Sequence, residues 1–444
     1  MTKRRKSPPA TVPFTATPAG EPPRVSDWAN RSVWTERMLT ALEQGVRGGR
    51  WHTLIDKVYG PLTLYAASER VIANGGAAGV DYQTVEAFLA QRPEELRRLE
   101  DALRDNTYRP QAVRRTWIPK RGSPEKRPLG VPTVRDRVVQ TALRNVLEPI
   151  FDATFADHSY GFRPGRGCHQ ALERVEALLQ EGYVYVVDAD LKSYFDTIPH
   201  DRLLDRVREK VSDRRVVQLV EMFLQQGVLD GLREWTPEEG TPQGAVISPL
   251  LANIYLNPLD HLVQEAGFRM VRYADDFVIL CRTREDADRA LQLVQGWVAA
   301  QGLTLHPTKT RIVDSRTDGF DFLGYHFRGN LRLPRAKSLQ KLKDTVRSRT
   351  PRQHGHSMSF ICARLSRTLQ GWFTYFRHCH WNVYPSLDGW IRMRLRSILR
   401  KRAGRRGRGR GGPDHQRWPN AYFAELGLFS LEQAHLRFCQ SSRR

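Results

Sequence analysis

Cysteine is scarce in this sequence: Cys168, Cys281, Cys362, Cys379 and Cys439 are few for 444 residues, odd in number and without a C-x-x-C pair. A disulfide-stapled scaffold and a zinc ribbon are thereby excluded. Long apolar runs are missing too, since no stretch approaches the ~18 consecutive apolar residues that a spanning helix needs. The basic start Lys3-Arg4-Arg5-Lys6 leads into prolines instead of an apolar signal core, so a soluble cytoplasmic protein with no membrane partner is expected. Acids are in the minority, 48 Asp plus Glu against 70 Lys plus Arg, for a net charge of +22. That imbalance selects polyanionic partners, nucleic acid first.

What is present is enough hydrophobic residue, 40 %, to bury a core, and enough chain for about three structural units at roughly 150 residues each. Residues 1–30 carry prolines at 8, 9, 13, 18, 22 and 23 with few large apolar groups, and read as a disordered leader. From Val33 to Leu103 the apolar spacing is helical, broken by the glycine-rich NGGAAGVD at 74–81. Between Trp117 and Tyr325 short β-like runs alternate with helical ones, as in an α/β or α+β domain. Beyond Gly329 the composition changes: residues 331–412 hold 21 Lys or Arg against Asp344 and Asp388, a local balance of +19. Leu365, Leu369, Trp372 and Phe376 put an apolar stripe on a helix within this basic segment, and the stripe reads as bundle core.

Three acids sit at the ends of apolar runs. Asp190 closes YVYVVDAD, and Asp275 and Asp276 occupy the turn expected between RMVRY and FVILC. Carboxylates gathered without nearby cations repel one another unless hard divalent metals neutralise them. Phosphoryl transfer by two metals ~3.5–4 Å apart calls for this arrangement. A sharp Pro-Gln-Gly turn at 242–244 precedes an apolar helix, so backbone and the Gln243 amide can approach a ligand closely. Lys120 and Arg127 flank the turn of a basic hairpin that could hold two cations over a triphosphate, or be an ordinary solvated turn.

YADD at 273–276, GTPQGAVISPLLANIYLNPLD at 240–260, VVDADLKSYFD at 186–196, SYGFRPGRGCHQAL at 159–172, IPKRGSPEKRPLGVPTVRDRVVQ at 118–140 and FLGY at 322–325 mark six separate stretches of the chain. Together they resemble the group II intron reverse transcriptases, the intron-encoded maturases, from about Leu54 to the C-terminus. The resemblance implies an α+β right-hand polymerase: a helical N-terminal extension and start of the fingers at 31–110, then fingers and palm at 111–328 with an antiparallel sheet packed on helices. A helical thumb or maturase domain at 329–395 and a basic segment with a short terminal helix at 396–444 would follow. It implies that Asp190 and Asp275, with Asp276 completing the cluster and the Leu191 carbonyl adding a ligand, hold two Mg²⁺ ions. Lys120 and Arg127 would contact the incoming triphosphate, Gln243 would line the nucleotide pocket, and Phe195 would stack beneath the sugar and exclude a 2′-hydroxyl. Lys309 would lie near the leaving phosphates, and Phe322-Leu323-Gly324-Tyr325 would form the primer grip.

The partners implied are group II intron RNA, an RNA template, a DNA primer or target, and deoxynucleoside triphosphates. Arg163, Arg400, Lys401, Arg402, Arg405 and Arg406 are expected to contact nucleic acid, the last five in a flexible glycine-containing run. The function implied is RNA-directed DNA synthesis joined to intron binding that promotes splicing and target-primed mobility. A splicing-only maturase, or a reverse transcriptase recruited to defence or repair, is the alternative. Many family members end in an H-N-H endonuclease, but no paired cysteines follow Gly411, so target-DNA cleavage is not expected here.

Overall fold

A computed structural model describes residues 25–119, 126–231, 233–353, 355–409 and 411–441. Most of the expected leader, residues 1–24, lies outside the described residues, and what remains of it includes the short helix Val25–Trp28. Among the described residues no helix is long and apolar enough to cross a membrane. Along the chain the strands are β1 (Val113–Pro119), β2 (Lys126–Val131), β3 (Tyr185–Asp190), β4 (Val228–Asp230), β5 (Arg233–Trp235), β6 (Arg269–Tyr273), β7 (Asp276–Cys281), β8 (Arg311–Asp314), β9 (Phe320–Phe322), β10 (Tyr325–Arg328) and β11 (Leu331–Pro334). Among the described residues they form three sheets, ordered β2-β1-β4-β5, β6-β7-β3-β8 and β11-β10-β9. The architecture is mixed α+β with a helical C-terminal region.

The β6-β7-β3-β8 sheet is antiparallel throughout and buried on both faces. Strand side chains alternate, so Val187, Ala189, Phe277 and Ile279 enter one core with the helices Ser248–Glu265 and Arg284–Ala300. Val186, Val271, Val278 and Leu280 enter a second core with the helix Cys168–Gln180 and the β9–β10 hairpin. Double coverage explains why YVYVV and FVILC read as continuous apolar runs without a polar face. Each such valine or leucine, at 0 or 1 % exposure, contributes roughly 1.5–3 kcal/mol by leaving water.

The second core is continuous into the C-terminal helices Ala336–Arg349, Met358–Phe376 and Val383–Arg402, through Leu342, Val346, Leu365, Leu369 and Ile391. Trp372 packs against it and stacks on Phe376, a place in the bundle core. The last helix of the three runs through the expected boundary at 395/396, so Arg400, Lys401 and Arg402 belong to a helix end and not to a flexible run. Among the described residues three further helices follow, Gly412–Arg417, Asn420–Glu425 and Leu431–Ser441, where one was expected.

Candidate active site

Seven of the residues singled out in the sequence line one cavity of about 940 Å³: Arg127, Asp190, Leu191, Phe195, Gln243, Asp275 and Lys309. They come from five separate chain segments. Asp190 is the last residue of β3. Asp275 lies in the two-residue loop between β6 and β7, while Asp276 is already the first residue of β7, paired with Asp190 across the ladder. The expected three-residue turn is thus a two-residue one. Lys120 lies outside the described residues; Arg127 stands on β2 opposite Ile118.

The Ala274-Asp275 loop is held from below. Ala274 has φ 61, a left-handed conformation uncommon for a residue with a Cβ. A Cβ on Gly161 would lie 2.2 Å from the Ala274 nitrogen, so only glycine permits this approach. Arg272, fully buried, donates from Nη1 to the Ala274 carbonyl at 2.8 Å and to Asn253 Oδ1 at 2.9 Å. Its other nitrogens reach both carboxylate oxygens of the equally buried Asp260 at 2.7 and 2.5 Å. Asn253 in turn donates to the Gly161 carbonyl at 2.8 Å. A charge inside the apolar run RMVRY is the sequence signal for this network, one that matching motifs does not weigh.

The electrostatics are those of crowded acids. Burial first, and then the charge of Asp190, push the Asp275 carboxyl above its ordinary value. Burial, Asp188 and Asp275 raise Asp276 to about 7. Asp188, a fourth acid absent from the expected cluster, is raised by burial to about 6 although Arg311 lies 3.4 Å away. Asp188, Asp190 and Asp276 share one sheet face by strand alternation, so the signal was the two-residue spacing in VVDAD. Asp276 is not among the residues lining the cavity; it accepts a hydrogen bond from the backbone of Leu323.

A cation is what this cavity calls for. Lys309 Nζ meets Asp190 Oδ2 at 2.5 Å, one positive charge set against the acids. Among the described residues no group of three or more His, Cys, Asp or Glu could hold a metal ion by itself. Two carboxylates open to a cavity nevertheless suit Mg²⁺, which is commonly bound by one or two carboxylates together with substrate phosphates.

Other expected residues lie elsewhere. Phe322 and Tyr325 are buried in the second core and cannot grip a primer with their side chains; only the Leu323-Gly324 turn between β9 and β10 is accessible. That turn is fixed from the C-terminal region: Tyr375 Oη donates to Leu323 O at 2.7 Å, and Arg335 N and Ser338 Oγ donate to Gly324 O at 2.9 and 3.2 Å. Arg163 is buried and spends its guanidinium on Asp152 and on the carbonyls of Ala156 and Ser159, so it anchors a loop and is no phosphate contact. Arg400 is paired with the buried Asp414 at 2.7 Å, and Arg402 donates to the His356 carbonyl. Lys401, Arg405 and Arg406 are exposed.

The reverse transcriptase (RNA-dependent DNA polymerase) family matches residues 118–327, so the chain carries a reverse transcriptase domain, and polymerases of this class generally use divalent metal. The maturase-specific domain of group II introns matches residues 339–418. The chain belongs to the family of group II intron-encoded reverse transcriptases and maturases. It is 38 % identical over 214 residues to the group II intron-encoded protein LtrA of Lactococcus lactis subsp. cremoris, spanning 48 % of this chain and 35 % of that one. Protein YkfC of Escherichia coli (strain K12) is 33 % identical over 317 residues, 62 % of this chain and 83 % of that one. Thus the chain covers about a third of LtrA and most of YkfC. Among solved structures, a partial Cas6-RT-Cas1–Cas2 complex overlays at 25 % identity with a TM-score of 0.37, over 56 % of this chain and 43 % of that one.

Proposed function

We propose that the protein is an RNA-directed DNA polymerase that also binds its parent group II intron RNA, assisting splicing and target-primed mobility from the cytoplasm. The observation that carries this reading is the convergence of Asp190, Asp275, Arg127, Phe195, Gln243 and Lys309 on one cavity. Asp190 and Asp275, with the Leu191 carbonyl, would hold two Mg²⁺ ions, which when bound activate a primer 3′-hydroxyl and steady the phosphate under attack. Asp276 lies behind them, fixing the Leu323-Gly324 turn that would touch the primer. Arg127, with Lys120, would receive the triphosphate, and Lys309, on the same cavity, would lie near its phosphate oxygens. Extension of a DNA primer on an RNA template by purified protein with Mg²⁺ tests the reading. Absence of any product at all would reject it.

Phe195 is half-buried, packed edge-on to Tyr194 at 5.5 Å, with one side on the cavity. An aromatic wall rejects a 2′-hydroxyl only by filling its volume. Phe195→Val should therefore raise ribonucleotide use relative to deoxyribonucleotide use by roughly 10-fold or more. An unchanged ratio in single-nucleotide extension would place the gate on another residue.

For RNA binding the exposed charges matter. Replacing Lys401, Arg405 and Arg406 by glutamine should weaken intron-RNA binding and flatten the plot of log affinity against log salt by about one unit for each phosphate no longer neutralised. Arg400 stays in place in this variant, because its removal would strand the buried Asp414. Filter binding across a salt series reads the slope, and a slope equal to wild type would make these residues solvated surface only.

A further inference from the structure

We propose that Asp196 is a positioning residue that fixes the orientation of the Gln243 carboxamide and, through it, the selection of the incoming nucleotide, an inference that rests on the polymerase reading above. Gln243 Nε2 donates to both carboxylate oxygens of Asp196, at 3.0 and 2.9 Å. A carboxylate only accepts, so the contact decides which end of the amide faces Asp196: the NH₂ is engaged and Oε1 is the end left for a ligand. An unrestrained glutamine would present donor or acceptor indifferently. On the sugar of a deoxynucleotide the one hydroxyl is the 3′-OH, and a fixed acceptor suits that donor.

The backbone around the pair is built to keep this contact. Gly240 lies against Asp196 so closely that a Cβ there would come within 2.7 Å of the Asp196 carbonyl carbon. Thr241 N donates to Phe195 O at 2.6 Å, and Gly130 N donates to Gln243 O at 2.7 Å. One loop therefore ties the wall at Phe195, the amide of Gln243 and the strand that carries Arg127. A separate cavity of about 270 Å³ is also lined by Asp196 and Gln243. It offers the glutamine side chain room to turn away when the carboxylate is removed.

The test is steady-state primer extension by the full chain with a deoxynucleotide and with its 2′,3′-dideoxy counterpart. Asp196→Ala should raise KM for the deoxynucleotide about 5–10-fold with kcat within about 2-fold, the size expected from one hydrogen bond. The dideoxynucleotide, with no 3′-OH to engage the glutamine, should be little affected, so discrimination between the two shrinks. Asp196→Asn, whose carboxamide can accept from Nε2 or donate to Oε1 and so no longer decides the orientation, should fall between Asp196→Ala and wild type. The double variant Asp196→Ala/Gln243→Ala should be no worse than Gln243→Ala alone, because the aspartate acts through the glutamine. Equal losses for both nucleotides, or additive losses in the double variant, would overturn the proposal while leaving the polymerase reading intact. A wild-type chain unable to extend any primer would overturn both.

Discussion

DNA synthesis by the Asp275→Ala protein should fall by roughly 10³-fold or more, about 4 kcal/mol of transition-state stabilisation. Asp275 and Asp190 open on one cavity from two chain segments that meet only in the fold, and Asp275 feels both burial and the charge of Asp190. Removing either carboxylate halves the negative charge available to the metals while the triphosphate still needs them, so Asp190→Ala should be as severe. Intron-RNA affinity should stay within about 2-fold of wild type, since the exposed arginines stand on other elements. Quantitative primer extension and filter binding on the same preparations separate the two activities. Synthesis at wild-type rate by Asp275→Ala would end the assignment of this cavity as the active site.

The second large effect is on stability. Arg272 and Asp260 are both wholly buried and joined by two hydrogen bonds, at 2.7 and 2.5 Å. Arg272→Met fills similar space but leaves a carboxylate buried without its partner, which costs about 3–5 kcal/mol. Unfolding by denaturant should show this as an earlier transition. The double variant Arg272→Met/Asp260→Leu removes the stranded charge, and a buried pair replaced by packed apolar groups is often neutral in stability. It should recover most of the stability but not the activity, because the Ala274 carbonyl and Asn253 still lack their donor. A single variant destabilised by less than about 1 kcal/mol would mean that the pair adds little to holding the loop.

These two sites differ in how far the sequence discloses them. Asp190 and Asp275 were legible because each ends an apolar strand run, and the PQG turn was legible because proline and glycine punctuate the chain. Arg272 and Asp188 were not, since a charge within such a run has meaning only once the opposite face of the sheet is known to be covered. The FLGY segment illustrates the reverse: the motif falls on the turn between β9 and β10, but two of its four side chains go inward because these strands lie over the second core. The basic C-terminal run was legible as charge and illegible as structure. Asp414, fourteen residues on, takes Arg400 out of the exposed set, and nothing in the local composition announces that pairing.

The apolar cluster that joins the β6-β7-β3-β8 sheet to the C-terminal helices has an evolutionary consequence. Val186 and Val278 lie in the same cluster as Phe322, Leu365 and Leu369, so the element carrying Asp190 and the region carrying the exposed basic residues share one core and are inherited together. On the intron-binding reading proposed above, a descendant released from its intron could shed exposed lysines and arginines without harm to its catalytic sheet. It could not discard the helices beneath them. Drift after such a release should therefore appear first at positions such as Lys401, Arg405 and Arg406, while Val346, Leu365 and Leu369 stay apolar, and surviving helices would be no sign that splicing survives with them.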